Sequence, residues 1–170
     1  MPHSSSLLPS LLPGRLLRHA GPRETVNEFP GIQVDDATLL EVVSTEAPLL
    51  KLYEGTIHGE GPAWQPAHDR LVWSDAPNRR LLGWYPAGHV EVLMDGTWFM
   101  NGNDIKPDGE VVHCEHGRRC ISRGGDYDRE PEPIVTHYQG KRINSPNDIA
   151  RSQPDGSIWF RRLWPLLPHL

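Results

Sequence analysis

One pattern constrains this chain more than any other: three segments repeat the same order of features at a nearly fixed interval. They are "EGPAWQPAHDRLVWSD" (60–75), "NGNDIKPDGEVVHCEH" (101–116) and "SPNDIARSQPDGSIWF" (145–160). Each opens on a tight polar loop and passes through a short apolar stretch. Each then turns, at His68-Asp69-Arg70, Pro107-Asp108-Gly109 or Pro154-Asp155-Gly156, and ends on an apolar strand. Asp-Gly between apolar runs is a strong hairpin signal. Gly61 and Asn103 are 42 residues apart, and Asn103 and Asn147 are 44 apart. A period of about 40–45 residues built from short strands matches the four-stranded blade of a β-propeller. The intervals supply the outer strands of each blade, at 79–86, 89–95, 119–123 and 133–140. Glycine (16) and proline (17) in 170 residues provide the many turns such a fold needs.

Equivalent loops of successive blades converge at one end of a propeller's central channel. Here those loops carry Glu60-Gly61-Pro62, Asn101-Gly102-Asn103-Asp104 and Asn144-Ser145-Pro146-Asn147-Asp148. A carboxylate and amide oxygens gathered on an axis suit a hard divalent cation such as Ca²⁺, Mg²⁺ or Mn²⁺, and also admit Zn²⁺. Asn and Asp equally cap turns, so Asn101, Asp104, Asn144 and Asp148 are read as structural. Glu60, Asn103 and Asn147 remain as candidate site residues. Trp64, Trp98 and His58 are candidate pocket walls.

These same stretches resemble the gluconolactonase family, which includes regucalcin (senescence marker protein). The residues that carry the likeness are "GEGPAWQPAHDRLVWSD", "GNDIKPDGEVVHCEHGRRCISR" and "GKRINSPNDIARSQPDGSIWF", within residues 35–160. The resemblance implies a six-bladed propeller with one divalent metal ion, Ca²⁺ or Zn²⁺, in the axial channel, and hydrolysis of small sugar lactones and related esters. It assigns Glu60 to the family's first metal ligand. Asn147 is assigned to a substrate- or water-contacting position and Asn103 to the channel lining beside substrate. Ser145 stands where some members have an Arg that binds substrate. The family's remaining metal ligands, an Asn and an Asp that is also the expected general base, have no counterpart here. No catalytic residue is therefore assigned.

The expected organisation is a disordered or targeting-like extension over 1–34, the N-terminal part of a propeller with fewer than three complete blades over 35–160, and an unmatched tail over 161–170. The first 23 residues are rich in Ser, Leu, Pro and Arg and contain no acidic residue. The tail, "RRLWPLLPHL", follows nothing in the repeat; this is the pattern that a frameshift or a premature stop leaves. The reading is thus a lactone hydrolase family member that is truncated and inactive alone, with self-association through open blade edges.

Two other functions compete. One is a non-catalytic β-rich interaction module. The other is a small zinc-binding protein using His113, Cys114, His116 and Cys120, whose spacing departs from the usual two-residue spacers. Strand alternation would send His113 and Cys114 to opposite faces. A formal net charge of −5 argues against a nucleic-acid partner. No apolar run approaches the ~18 residues of a membrane span. Two cysteines are too few for a disulfide framework, so a reducing, cytoplasmic setting is the expectation.

Overall fold

The computed structural model describes residues 31–124, 127–152 and 155–162, together with the backbone of 16–17 and 24–25. Every strand pairing in the described chain is antiparallel. Its strands are β1 (Leu16–Leu17), β2 (Glu24–Thr25), β3 (Leu50–Lys51), β4 (Gly59–Gln65), β5 (Arg70–Asp75), β6 (Arg80–Trp84) and β7 (Val90–Asp95). They continue with β8 (Met100–Ile105), β9 (Val111–Glu115), β10 (Cys120–Gly124), β11 (Glu132–Val135), β12 (His137–Tyr138), β13 (Lys141–Arg142), β14 (Pro146–Arg151) and β15 (Ile158–Arg162). Two short 3-10 turns, Ala37–Glu41 and Pro66–His68, are the helical segments among the described residues.

Strands β4 to β7 form one up-and-down blade, extended at its outer edge by β1. Strands β8 to β11 form a second, and β14 with β15 begins a third. Two blades and a hairpin agree with the expectation of fewer than three. Two pairings fall inside the segment read as an extension: Leu16–Leu17 lies against Val90 and Glu91, and Glu24–Thr25 lies against Leu50 and Lys51. The rest of 1–30 and the tail from residue 163 lie outside the described residues. Arg161 and Arg162, placed in the tail by sequence, continue β15 and pair with Asp148 and Pro146.

Each blade buries its own apolar face. Val72, Leu81, Leu82 and Val90 are sealed in the first. Val112, Cys114 and Ile121 of the second pack on Ile143 and on Ile149 of the third, with Val135 and Ile158 at the margin. Full burial of such a side chain stabilises by about 1.5–3 kcal/mol, so this seam fixes the third hairpin against the second blade.

The second turn of each complete blade uses one design. A buried carboxylate ends the second strand: Asp75 accepts from Asn78 Nδ2 and Arg80 Nη2, both at 2.7 Å. Glu115 takes Arg118 in a bidentate grip at 2.5 and 2.6 Å and accepts from Ser122. Arg79 and Arg119 then adopt the same left-handed conformation, each with φ of 54°. Their guanidinium Nε atoms donate to Thr97 O at 2.9 Å and Ile143 O at 3.0 Å, tying each blade to the connection that feeds the next.

One strand expected over 133–140 is split. Gln139 and Gly140 have φ of 49° and 75°, the two positive angles of a tight two-residue turn. They fold 137–142 into its own small hairpin of His137–Tyr138 on Lys141–Arg142.

Candidate functional site

The inner strands β4, β8 and β14 each carry a register shift near their start. These lie between Glu60 and Ala63, between Met100 and Asn103, and between Pro146 and Asp148. Such bulges bend the strand and re-aim its side chains. They also let neighbouring inner strands touch through backbone. A Cβ added at Gly61 would stand 2.5 Å from Asn103 N and 2.6 Å from Asn101 O. At Gly102 it would stand 2.8 Å from Asn147 O and from Asp148 Cα. Gly61 also has φ of 58°, a left-handed angle that glycine adopts without strain. The three polar loops are therefore neighbours, as their repeat positions imply.

Glu60 lies at the mouth of this arrangement with its side chain 36% exposed, and its Oε1 is 2.8 Å from His58 Nε2. His116, from the turn after β9, also feels it: burial pushes the His116 pKa down, and the Glu60 charge opposes that shift. Three further donors stand at this end. Asn101 is 5% exposed, and its Oδ1 is buried without a hydrogen bond among the described residues. His116 Nε2 is likewise buried and unpaired among the described residues. Asn147 is half-buried, and its carbonyl abuts Gly102. An anionic oxygen with amide oxygens on the adjoining inner strands is the donor chemistry a hard divalent cation takes, and the imidazole would admit Zn²⁺. The set is partial: among the described residues no three His, Cys, Asp or Glu side chains gather closely enough to hold a metal ion by themselves.

Asn103 departs from its expected role beside substrate. It is 6% exposed, and its Nδ2 faces Gly61 O at 2.8 Å, Ser74 Oγ at 3.0 Å and Asn101 O at 3.1 Å. Its Oδ1 meets His113 Nδ1 at 2.7 Å. The amide is spent on the seam between the first two blades. Asp104 and Asp148 are structural, each accepting from the next backbone N–H, Ile105 at 2.7 Å and Ile149 at 2.9 Å. Asn101, read as a turn cap, is the polar residue that sequence passed over. The signal that could have found it is its place at the start of an inner strand, one residue before the glycine of close approach.

Of the candidate walls, Trp64 lines a groove of about 380 Å³ along the three inner strands, with Ile105, Ile149 and Arg151. Trp98 does not join it; its indole N–H donates to Glu130 on an outer connection. A larger hollow of about 500 Å³ lies by the turns at the opposite end of the inner strands, beside His68, Gly109 and Arg123, and contains none of the mouth residues.

The His113-to-Cys120 cluster does not converge as a zinc site would. Cys114 lies in the apolar seam between blades two and three, whereas His113 faces Asn103. Burial pushes the thiol of Cys114 up to about 12 and that of Cys120 up to about 11. Both are thus held as thiols in the packed seam.

Comparison with known proteins agrees with this architecture. Residues 58–164 match the family model described as the SMP-30/Gluconolactonase/LRE-like region. A gluconolactonase of Zymomonas mobilis is 29% identical over 140 residues, which is 75% of this chain and 36% of that protein. A solved gluconolactonase from Xanthomonas campestris superposes with a TM-score of 0.74 at 44% identity, over 85% of this chain and 48% of the other. A regucalcin from Agrobacterium tumefaciens, described as calcium-binding, shares the fold at a TM-score of 0.53 and 17% identity, over 69% of this chain and 42% of its own. The chain thus spans about half or less of the length of these relatives. It belongs to the SMP-30/gluconolactonase/LRE-like family.

Proposed function

We propose that this chain carries the first portion of a metal-dependent lactone-hydrolase site. Glu60 would be the metal ligand and Asn147 the substrate-facing amide, with a small sugar lactone as substrate. The observation that carries the reading is the half-exposed Glu60 carboxylate at the bulged start of the first inner strand. Asn101 and Asn147 stand on the next two strands, which touch it in turn. A divalent ion held at Glu60, Ca²⁺ first by its oxygen donors and otherwise Zn²⁺, Mg²⁺ or Mn²⁺, would supply Lewis acidity toward the lactone carbonyl. Glu60 contributes the negative charge that holds such an ion. The Asn147 side chain makes no hydrogen bond among the described residues and is available to orient a substrate hydroxyl or ring oxygen. His58, 2.8 Å from Glu60 Oε1, restrains the carboxylate.

On this reading the chain alone turns lactone over poorly. Calcium takes about 6–8 oxygen ligands, and the described residues offer one carboxylate with two amides, short of a full calcium sphere. Calcium calorimetry on Glu60→Gln tests the ligand assignment. Loss of about an order of magnitude in affinity supports it, and unchanged affinity refutes it. Glucono-lactone hydrolysis by the purified chain with added Ca²⁺ or Zn²⁺, well above the metal-only rate, would refute the low intrinsic activity.

A second reading, a non-catalytic module that associates through its open edge, is favoured by the outermost described strand. There Trp159 is 71% exposed and Phe160 38% exposed. Sedimentation separates the two readings: a monomer that binds Ca²⁺ supports the first, and a metal-indifferent oligomer the second.

A further inference from the structure

Behind Glu60 lies a buried polar knot that joins blades one and two. Asn103, His113 and Ser74 are all sealed from solvent, and their hydrogen bonds fix each other's identity. Two of the groups facing Asn103 Nδ2 are the backbone carbonyls of Gly61 and Asn101, at 2.8 and 3.1 Å, and carbonyls can only accept. The amide nitrogen must therefore face them, and Oδ1 must face His113. Oδ1 also only accepts, so His113 Nδ1, 2.7 Å away, must carry the proton. His113 is held neutral, because burial pushes its pKa down to about 3, with the nearby Arg118 charge adding to the shift. Nε2 is consequently the bare nitrogen, and it has no partner among the described residues.

The Gly61 and Asn101 carbonyls lie inside the two bulges, where the regular ladder is interrupted. Buried carbonyls need donors, and one Asn side chain serves both. We propose that His113, acting through Asn103, is a positioning residue that fixes the Gly61 carbonyl and so the bulge that presents Glu60 to its ligand. This rests on the reading of Glu60 as a metal ligand, and the experiment below separates the two.

The full chain is labelled with ¹⁵N, and the ring nitrogens of His113 are observed by NMR. The expected result is a neutral ring protonated on Nδ1; protonation on Nε2 overturns the proposal, whatever the variants do. Next, His113→Leu and His113→Asn are compared. Both lose ring volume and both should lower the melting temperature. Only Asn places an amide donor near the position of Nδ1. His113→Leu should move the Glu60 and Gly61 amide resonances and weaken Ca²⁺ binding by about tenfold or more, the usual range for residues that orient a ligand. His113→Asn should restore the resonances and most of the affinity while staying less stable. Unmoved Glu60 and Gly61 resonances in His113→Leu overturn the proposal, as does affinity that follows stability alike in both variants. If Glu60→Gln leaves Ca²⁺ affinity unchanged, the metal reading fails by itself, and the tautomer and the amide resonances still decide the clamp.

Discussion

Substituting Gly102 by Ala isolates the contact that joins the second blade to the third. The added Cβ would stand 2.8 Å from Asn147 O, 2.8 Å from Asp148 Cα and 3.0 Å from Ile149 N. All three are backbone atoms of β14, so no side chain can rotate away. Comfortable carbon contacts lie near 3.5–4.0 Å, so β14 must retreat by roughly 0.5–1 Å. Overpacking of this kind costs about 1–3 kcal/mol. Alanine recovers about 0.4–1 kcal/mol by restricting the unfolded chain, leaving a net loss of roughly 1–2 kcal/mol. That is a fall of several degrees in melting temperature, at about 2–8 °C per kcal/mol across domains of this size range. The loss should be directional. Hydrogen exchange should quicken at Ile149 and Ala150 and in β15, and remain unchanged at Val72 and Leu82 in the first blade. Gly88→Ala is the control for backbone strain, since Gly88 has φ of 90° with nothing within 4 Å of the added carbon. It should lower stability without selectively loosening the third hairpin. A Gly102→Ala chain with wild-type melting temperature and wild-type exchange in β14 would show that the backbone contact is not as close as argued.

Acid should destabilise the chain through His113. Its folded pKa is pushed down to about 3, below the ordinary value of about 6.5 for an unfolded histidine. The unfolded state therefore binds the proton first. The stabilisation is complete above about pH 6.5 and is lost progressively as pH falls toward 3. Urea midpoints between pH 7 and 4 should fall more steeply for the wild type than for His113→Asn, and equal slopes would count against the burial argument. The thiols give an independent reading of the core. Cys114 and Cys120 are both buried, with pKa values raised to about 12 and about 11. Iodoacetamide at pH 8 should label them slowly in buffer and quickly in urea; fast labelling in buffer would mean that the seam around Cys114 is open.

The repeat was legible because hairpin chemistry is local. Gly109 with φ of 87° and Gly156 with φ of 70° stand where the Asp-Gly pairs placed the turns. The blade count followed from spacing alone. The site was legible only in outline, because alternation assumes an unbroken strand. The bulge between Met100 and Asn103 breaks it, and Asn103 turns into the seam with Ser74 and His113 where position in the repeat suggested the channel. The split at Gln139-Gly140 was missed because glutamine is an uncommon residue for a positive angle. Arg79 and Arg119 were invisible for the same reason: nothing in an arginine's chemistry announces a left-handed turn, yet both take it and both hold the next connection.

Asn103 and Asn147 show why equivalence in the repeat is not equivalence in role. Both follow the start of an inner strand, 44 residues apart. Asn103 has the first blade's Gly61 carbonyl and Ser74 hydroxyl within 3.0 Å, and both need or accept a donor. Its amide is therefore consumed in closing the seam. Asn147 meets the second blade differently: its own carbonyl lies against Gly102, and among the described residues no carbonyl claims its side chain. The bulge of the third hairpin thus leaves an amide half-buried, and uncommitted among the described residues, at the end of the inner strands where Glu60 stands. Burying an unsatisfied amide costs about 1–3 kcal/mol, whereas a half-exposed amide can bond water and give it up to a ligand at little cost. The same residue type is consumed in packing where a neighbouring carbonyl faces it, and stays open to solvent where none does.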